Sequence, residues 1–163
     1  RVILAATGTA WTGGRTRTVE AVLEEMLDNA RSEITVVAYV ISSGATLFLD
    51  KLEECLSRGI RVTMILNRFE RQADIIRQRI CDLLGKYPYL NVFSFSPARA
   101  SEELHAKIVL VDNSVALIGS ANLSWRGLVL NHELAITLTG PTVSRISSLV
   151  ANLARDPRTV SVK

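Results

Sequence analysis

The sequence predicts an α/β protein with a mixed, mainly parallel central sheet that is flanked by helices. Between residues 18 and 95, runs rich in β-branched residues alternate with segments in which apolar residues recur every three or four positions. Such alternation favours strands joined by right-handed helical crossovers. Between residues 104 and 138 this alternation breaks, because three strand-like segments follow one another directly.

The predicted elements of the first 95 residues follow in chain order. Residues 1–6 are a short apolar run, expected at a sheet edge, and residues 7–14 are a loop by their Gly and Thr content. A helix over 18–30 has its apolar residues on one face, and the β-branched run 34–41 is a strand. A helix over 47–57 ends before Gly59, which supplies a left-handed residue. The strand 60–66, the helix 72–84 and the strand 90–95 complete this half.

The remaining elements are predicted strands at 104–111, 115–118 and 130–138 and a closing helix at 142–153. The polar loop 96–103 precedes them, and its residues Pro97, Ala98, Arg99 and Ala100 are expected to form a mobile lip. With 163 residues, the chain is predicted to be one domain, residues 1–163, with a core of its own. Because the chain begins with Arg1, we expect it to be a processed form or a piece of a longer protein.

Composition narrows the class of protein. Hydrophobic residues make up 48% and charged residues 21%, as in ordinary globular domains, and no apolar run approaches the roughly 20 residues of a spanning helix. We therefore expect a cytoplasmic protein without membrane contact. The formal net charge of +3 favours a polyanionic partner. Cys55 and Cys81 fall at apolar positions of predicted helices, so both are expected to be core residues and not disulfide or metal partners.

The most informative segment of the chain is the apolar run 104–111, because it contains His105 and Lys107. Side chains alternate between the two faces of a strand, so these two polar groups are predicted to share one face. An imidazole beside an ammonium suits an anionic ligand. On the next strand, Ser120 and Asn122 again share a face. The four side chains are therefore expected to meet in one site.

The spacing of these residues resembles a known signature. His105-x-Lys107 is followed by Asp112, by Gly119-Ser120-x-Asn122 and then by Asn131-x-Glu133. This pattern is similar to the phospholipase D superfamily, whose HKD motif precedes a Gly-Ser-x-Asn element and, in many members, a glutamate. The resemblance is detailed over residues 104–133, and the upstream order of strands and helices is compatible with it. It implies a phospholipase D-like fold and a phosphodiesterase that needs no metal or other cofactor.

The resemblance also implies roles for the matched residues. A phosphodiester requires a nucleophile, a proton for the leaving oxygen and positive charge on the phosphoryl oxygens. His105 is the expected nucleophile, and it would form a phosphohistidine intermediate. Lys107 and Asn122 are expected to hold the phosphoryl oxygens, with Ser120 as a further donor. Glu133 is expected to accept a hydrogen bond from the other ring nitrogen of His105.

Asp112 has a different predicted role, although it completes the HKD signature. It lies five residues from Lys107, an odd step, so an uninterrupted strand would turn it away from the His105 face. We therefore predict that Asp112 is a turn residue that accepts backbone amides around Asn113 and Ser114. Gly119 is likewise taken as a structural residue of the motif.

The chain contains one copy of a motif that the superfamily uses twice. His132 lacks the His-x-Lys context and is predicted on the opposite strand face from Glu133, which makes it a poor second histidine. We therefore expect a homodimer in which two copies of His105 meet at a two-fold axis. If the chain is a fragment of a two-motif enzyme, the second motif would lie outside it.

The substrate class stays open at this stage. Small size, a single motif and positive charge favour an endonuclease that cuts DNA or RNA. The first alternative is a phospholipase or phosphatidyltransferase, which should show an exposed apolar rim. The second is a non-catalytic nucleic-acid-binding or dimerisation module of a larger DNA-processing or defence protein.

Several other residues have two possible roles. Ser42-Ser43 and Asn67-Arg68 follow predicted central strands, where ligands gather in open α/β sheets, although turn chemistry explains them equally well. Trp125 is expected to pack rather than to stack on a base. Near the third helix, four arginines form either a phosphate-binding rim or an ordinary solvated face: Arg68, Arg71, Arg77 and Arg79.

Overall fold

The computed structural model describes residues 1–12, 16–42, 44, 46–99 and 101–163. Within these ranges eight strands form one sheet in the order β1-β7-β6-β5-β2-β3-β4-β8. The strands are β1 (Val2–Thr7), β2 (Glu33–Ala38), β3 (Arg61–Asn67), β4 (Leu90–Phe95), β5 (Ile108–Val111), β6 (Val115–Gly119), β7 (Glu133–Thr139) and β8 (Thr159–Ser161). The helices are α1 (Thr9–Thr12), α2 (Val19–Asp28), α3 (Thr46–Ser57), α4 (Asp74–Lys86) and α5 (Pro141–Arg155).

The predicted mixed sheet flanked by helices is confirmed, but the expectation that it is mainly parallel is wrong. Only β2 with β3 and β3 with β4 pair in parallel, and these are the strands joined by α3 and α4. Every other pairing of the described strands is antiparallel. For β5 and β6 the reason is local, because only three residues, 112–114, join them, and so short a connection can join only antiparallel strands.

The sheet is covered on both faces because its central strands are apolar on both sides. Val36 and Met64 face the larger core, which α2, α3 and α4 cover. Their sequence neighbours Val37 and Ile65 face the smaller core under α5. All four side chains are almost fully buried. None of the described helices is both long enough and apolar enough to cross a membrane.

Several local predictions differ from the structure. The predicted strand over 104–111 begins only at Ile108, so the two motif residues lie in the extended segment before β5. The predicted loop 7–14 contains the single turn α1, and its last two residues, 13 and 14, lie outside the described residues. The edge strand β8 and a π-helical turn at Arg126–Leu130 are not predicted from the sequence, because elements this short show no periodic pattern of apolar residues.

The two cysteines have different environments. Cys55 is buried, as predicted, whereas Cys81 is exposed, so its expected core role is wrong. On α4 the buried positions are Ile76, Ile80 and Leu83, which leaves Cys81 on the outer face of that helix. A helix presents one stripe to the core, and the neighbouring position falls outside it.

Asp112 has the predicted scaffold role, with different partners. It and Asn113 form the turn between β5 and β6, with φ values of 51° and 50°. Its carboxylate accepts the amides of Arg31, Ser32 and Glu33 at 2.8, 2.8 and 3.0 Å, and the Ser32 hydroxyl at 2.8 Å. The expected bonds around Asn113 and Ser114 are therefore replaced by bonds to the chain that enters β2. Asp112 thereby fixes β5 against its neighbour β2.

Because of these bonds, the contribution of Asp112 to the stability of the fold depends on pH. Burial opposes ionisation of the carboxyl, but the hydrogen bonds from Glu33, Ser32 and Arg31 outweigh it and hold the pKa of Asp112 below its ordinary value. A carboxylate whose pKa is lowered by folding stabilises the fold above its unfolded pKa of about 4. That stabilisation is lost as the pH falls below this value.

We therefore expect Asp112→Asn to lower the free energy of unfolding by about 2 kcal/mol at pH 7, the usual range for bonds to a charged group. Urea unfolding at pH 7, 5 and 3 measures this, and the difference from the parent protein should shrink at pH 3. Asp82→Asn is the matched control, because Asp82 is exposed and accepts one bond, from Gln78. A difference that grows as the pH falls would contradict the assignment.

Candidate active site

The motif segment lies at the edge of the sheet where β2 and β3 end. β5 runs antiparallel to β2, and Ile108 pairs with Val37. The residues just before β5 therefore meet those just after β2, and β3 ends beside β2 because these two strands are parallel. This arrangement brings His105 and Lys107 to the carboxyl ends of the two central strands, where ligands commonly bind in open α/β sheets.

The side chains of His105 and Lys107 lie together, as their spacing predicted. The Lys107 ammonium donates to the His105 carbonyl oxygen at 2.8 Å. Its Nζ lies 2.9 Å from Nδ1 and 3.2 Å from Nε2 of the His105 ring. His105 is exposed, and Lys107 is half-buried. The pair therefore presents a nucleophilic ring and a positive charge at one accessible point.

Tyr39 is a site residue that sequence reasoning missed. It follows β2 directly, and its ring centroid lies 4.6 Å from that of His105 at an angle of 53°. The Lys107 ammonium lies 5.4 Å from the same Tyr39 ring. A hydrogen bond with Glu103, together with burial, raises the pKa of Tyr39 above its ordinary value. The predicted strand 34–41 includes Tyr39, whereas β2 ends at Ala38, so the position of Tyr39 at a strand end is seen only in the structure.

Ser120 and Glu133 contact each other rather than His105. The Ser120 hydroxyl donates to Glu133 Oε2 and accepts the Leu134 amide at 3.2 Å, while Asn131 Nδ2 donates to Glu133 Oε1 at 3.3 Å. The hydrogen bonds of the described residues include none between Glu133 and His105, contrary to expectation. Glu133 is instead close enough to Lys107 for its charge to act on the ammonium.

Asn122 is held in a tightly packed loop after β6. A Cβ on Gly127 would lie 2.3 Å from the Asn122 carbonyl oxygen, and a Cβ on Gly119 would lie 2.6 Å from the Ala135 Cβ. Both glycines therefore permit close backbone approach. Asn122 Oδ1 is buried without a hydrogen-bond partner among the described residues. Its amide is thus the polar group at this loop that is left for a ligand or water to satisfy.

The two strand-end pairs have structural contacts. Asn67 is buried, and its Oδ1 accepts the Leu104 amide at 2.9 Å, immediately before His105. The Ser42 amide donates to the Leu123 carbonyl at 3.3 Å, beside Asn122. Ser43 lies outside the described residues, as does Ala100 of the loop predicted as a mobile lip. Both described contacts explain how distant segments are held at the site.

The arginines near α4 fall into two groups. Arg77 pairs with Asp74, and Arg79 pairs with Asp50 and Glu53, so these two belong to an ordinary charged surface. Arg68 instead follows Asn67 at the site edge and donates to the Arg99 carbonyl at 3.4 Å, and Arg71 is exposed at the end of the helical turn that follows.

His132 and Trp125 lie outside the cluster of His105, Lys107 and Tyr39. The Ala10 amide donates to His132 Nε2 at 3.4 Å, which ties this ring to the turn α1. Trp125 is 44% exposed, so the expected packing role describes only part of its surface. Among the described residues, no group of three His, Cys, Asp or Glu is arranged to hold a metal ion.

Comparisons with known proteins agree with this geometry. The family model described as cardiolipin synthase, PLD-like domain, matches residues 23–153. DISARM protein DrmC of Bacillus paralicheniformis is 29% identical over 145 residues, and the match covers 87% of this chain. The match covers 58% of DrmC, so the chain spans little more than half of that relative.

Two solved structures share the fold over nearly their whole length. NucT from Helicobacter pylori has a TM-score of 0.79 at 17% identity, covering 99% of this chain and 100% of that one. Nuc from Salmonella typhimurium, described as a phospholipase D family member, has a TM-score of 0.73 at 19% identity, covering 100% and 98%. At these identities the likeness is one of fold.

The electrostatics of Lys107 lead to a prediction. Burial lowers the pKa of Lys107, and the charge of Glu133 opposes this. The chain has four lysines, and hydrogen bonds from Lys51 to Glu54 and from Lys86 to Glu53 raise the pKa values of those two. Lys107 should therefore lose its proton at a lower pH than Lys51 and Lys86, and at a still lower pH in Glu133→Gln.

Carbon-13 NMR of lysine Cε signals across an alkaline pH series measures this order directly. Glu102→Gln is the matched control, since it removes an acidic side chain whose ion pairs are with Arg99 and Arg158 and not with Lys107. If Lys107 titrates together with Lys51 and Lys86 or at a higher pH, burial does not lower the pKa of Lys107 and this prediction is wrong.

Proposed function

The chain belongs to the phospholipase D superfamily, and we propose that within it the protein is a metal-independent endonuclease that acts as a homodimer. The observation that carries the proposal is the contact between the His105 ring and the Lys107 ammonium at an exposed sheet edge. These two groups supply a nucleophile and a positive charge for one phosphodiester. The net charge of +3 supports a polyanionic substrate.

In the proposed first step, a ring nitrogen of His105 attacks phosphorus and forms a P–N bond while the P–O bond to the leaving group breaks. The leaving oxygen takes a proton from the partner's His105. In the second step that same histidine removes a proton from water, the water oxygen attacks phosphorus, and the P–N bond breaks. Both histidines return to their starting states, so no cofactor enters the balance.

The remaining side chains would stabilise charge on the phosphoryl oxygens. Lys107 supplies the cation, and its partly buried position strengthens its attraction for an anion. The hydrogen bonds of the described residues include none from the NH2 group of Asn122, whose Oδ1 is also unpaired, so this group can donate to the substrate. As placed, Ser120 directs its proton at Glu133, so its predicted bond to a phosphoryl oxygen requires that proton to be redirected.

Action on phospholipids is the second candidate function, and one observation favours it. Trp125 is 44% exposed and Leu130 is 57% exposed, and both follow Asn122 closely in sequence. Exposed aromatic and aliphatic side chains of this kind suit a membrane interface. A nucleic-acid substrate can use the same tryptophan for stacking on a base.

A single assay separates these candidates. Purified protein in EDTA is incubated with labelled single-stranded DNA, duplex DNA, RNA and phosphatidylcholine vesicles. We expect cleavage of a nucleic acid, no turnover of the lipid, and loss of at least about a thousandfold in His105→Asn, because the nucleophile is removed. His132→Asn is the matched control and should keep the activity of the parent.

Three results of this assay would count against the proposal. Activity that disappears on chelation and returns with magnesium would remove the metal-independent mechanism. Turnover of phosphatidylcholine alone would favour the lipid enzyme. Residual activity within tenfold of the parent in His105→Asn would exclude His105 as the nucleophile.

The homodimer leads to a separate prediction. Each proposed site needs two copies of His105, so a mixed dimer of parent and His105→Asn chains should be inactive. After subunit exchange of equal amounts, activity should fall to about a quarter of that of the undiluted parent, because about a quarter of random dimers keep both histidines. Simple dilution gives about a half, and a fully active monomer in light scattering would contradict the composite site.

A further inference from the structure

Gln72 is a buried polar residue whose side chain joins the ends of the two central strands. It is 7% exposed and lies between the short helical turn Phe69–Arg71 and α4. After β3 the chain turns sharply at Arg68, where φ is 44°, and this turn brings Gln72 back beneath the strand ends. A buried amide is costly to leave unpaired, so its hydrogen bonds indicate what it holds.

The amide of Gln72 has all of its main bonding groups in use. Nε2 donates to the Asn67 carbonyl at 2.8 Å and to the Tyr39 carbonyl at 3.0 Å. Oε1 accepts the Ile41 amide at 3.0 Å. Both donors and the acceptor serve backbone groups that lie at or just beyond the last paired residues of β2 and β3, Ala38 and Leu66. One side chain thus fixes the path of the backbone where these strands diverge.

Two of the three residues that Gln72 binds, Asn67 and Tyr39, also contact the motif segment. The Asn67 side chain accepts the amide of Leu104, the residue before His105. The Tyr39 ring packs against the His105 ring, with centroids 4.6 Å apart. Gln72 is therefore linked to His105 by two separate routes. One leads through Asn67 to the amide of the preceding residue, Leu104, and the other leads through Tyr39 to the His105 ring.

We infer that Gln72 is a positioning residue of the active site, which sets the place of the His105 ring through Asn67 and Tyr39. This inference rests on the proposed function for its catalytic consequence and on geometry alone for its structural one. Displacing a catalytic group by 1 Å can lower the reaction rate about a hundredfold. Loss of the Gln72 amide should therefore slow the chemical step more than it weakens substrate binding.

The test compares Gln72→Met with Gln78→Met, a matched control on the exposed face of α4. The chain has two histidines, so the Cε1–H NMR signals of His105 and His132 can be assigned with His132→Asn. In folded Gln72→Met we expect the His105 signal to move and the His132 signal to stay. For the cleaved nucleic acid, kcat should fall at least about tenfold with KM within about threefold.

An unchanged His105 signal together with unchanged kcat in folded Gln72→Met would overturn the inference. If Gln72→Met does not fold, Asn67 decides the question. Asn67→Asp keeps an oxygen for the Leu104 amide and should leave the His105 signal in place, whereas Asn67→Ala removes it and should move the signal. If neither Asn67 variant moves the signal, or both move it equally, the inference is wrong.

The two readouts also separate this inference from the proposed function. If the parent protein cleaves no nucleic acid, the proposed function fails, and the His105 signal alone then decides whether Gln72 positions the ring. If the parent cleaves nucleic acid and Gln72→Met behaves like Gln78→Met in both measurements, the nuclease stands and the positioning role is rejected.

Discussion

The antiparallel placement of β5 against β2 is the constraint on which the site depends. It brings the start of β5, with His105 and Lys107 before it, to the carboxyl ends of β2 and β3. Polar side chains fix both β5 and the segment that leads into it. Asn67 accepts the amide of Leu104, four residues before β5, and Asp112, just after β5, accepts the amides that lead into β2. A strand of four residues is thereby held in one register, which a short strand needs because a one-residue slip would turn each side chain to the other face.

The charges of the site are arranged around a half-buried ammonium. Lys107 is bound by the His105 carbonyl and lies over the Tyr39 ring, and both contacts suit a cation. Burial lowers the pKa of Lys107 and the negative charge of Glu133 opposes this, while Ser120 and Asn131 donate hydrogen bonds to the Glu133 carboxylate. Among the described residues, the Glu133 carboxylate thus accepts these hydrogen bonds and forms no direct ion pair with Lys107. The ammonium consequently stays available to an anionic substrate.

Local periodicity predicted much of this molecule. The spacing of His105 and Lys107 predicted that the two side chains lie together, although both residues precede β5 and are not part of a strand. The odd step to Asp112 agrees with its position in the turn after β5, away from His105. The direction of the strands was harder to predict, since the connection that makes β5 and β6 antiparallel is only three residues long, 112–114. Contacts between residues that are distant in sequence could not be predicted from local periodicity. Tyr39 lies 66 positions before His105, and Gln72 has no periodic pattern that would indicate its bonds. Glu133 was given the wrong partner because a strand pattern fixes the face of a side chain and not the group nearest to it.

Nucleophilic attack of His105 on phosphorus is the central step of the proposed mechanism, and trapping of the covalent intermediate tests it most directly. The cleaved nucleic acid, labelled on the phosphate that is retained, is mixed with the protein and quenched in alkali, where a phosphohistidine is stable. Mass spectrometry of the digested protein should then find the label on the peptide that contains His105, and not on the one that contains His132. Label on any other residue, or complete cleavage with no labelled peptide at any quench time, would contradict the account.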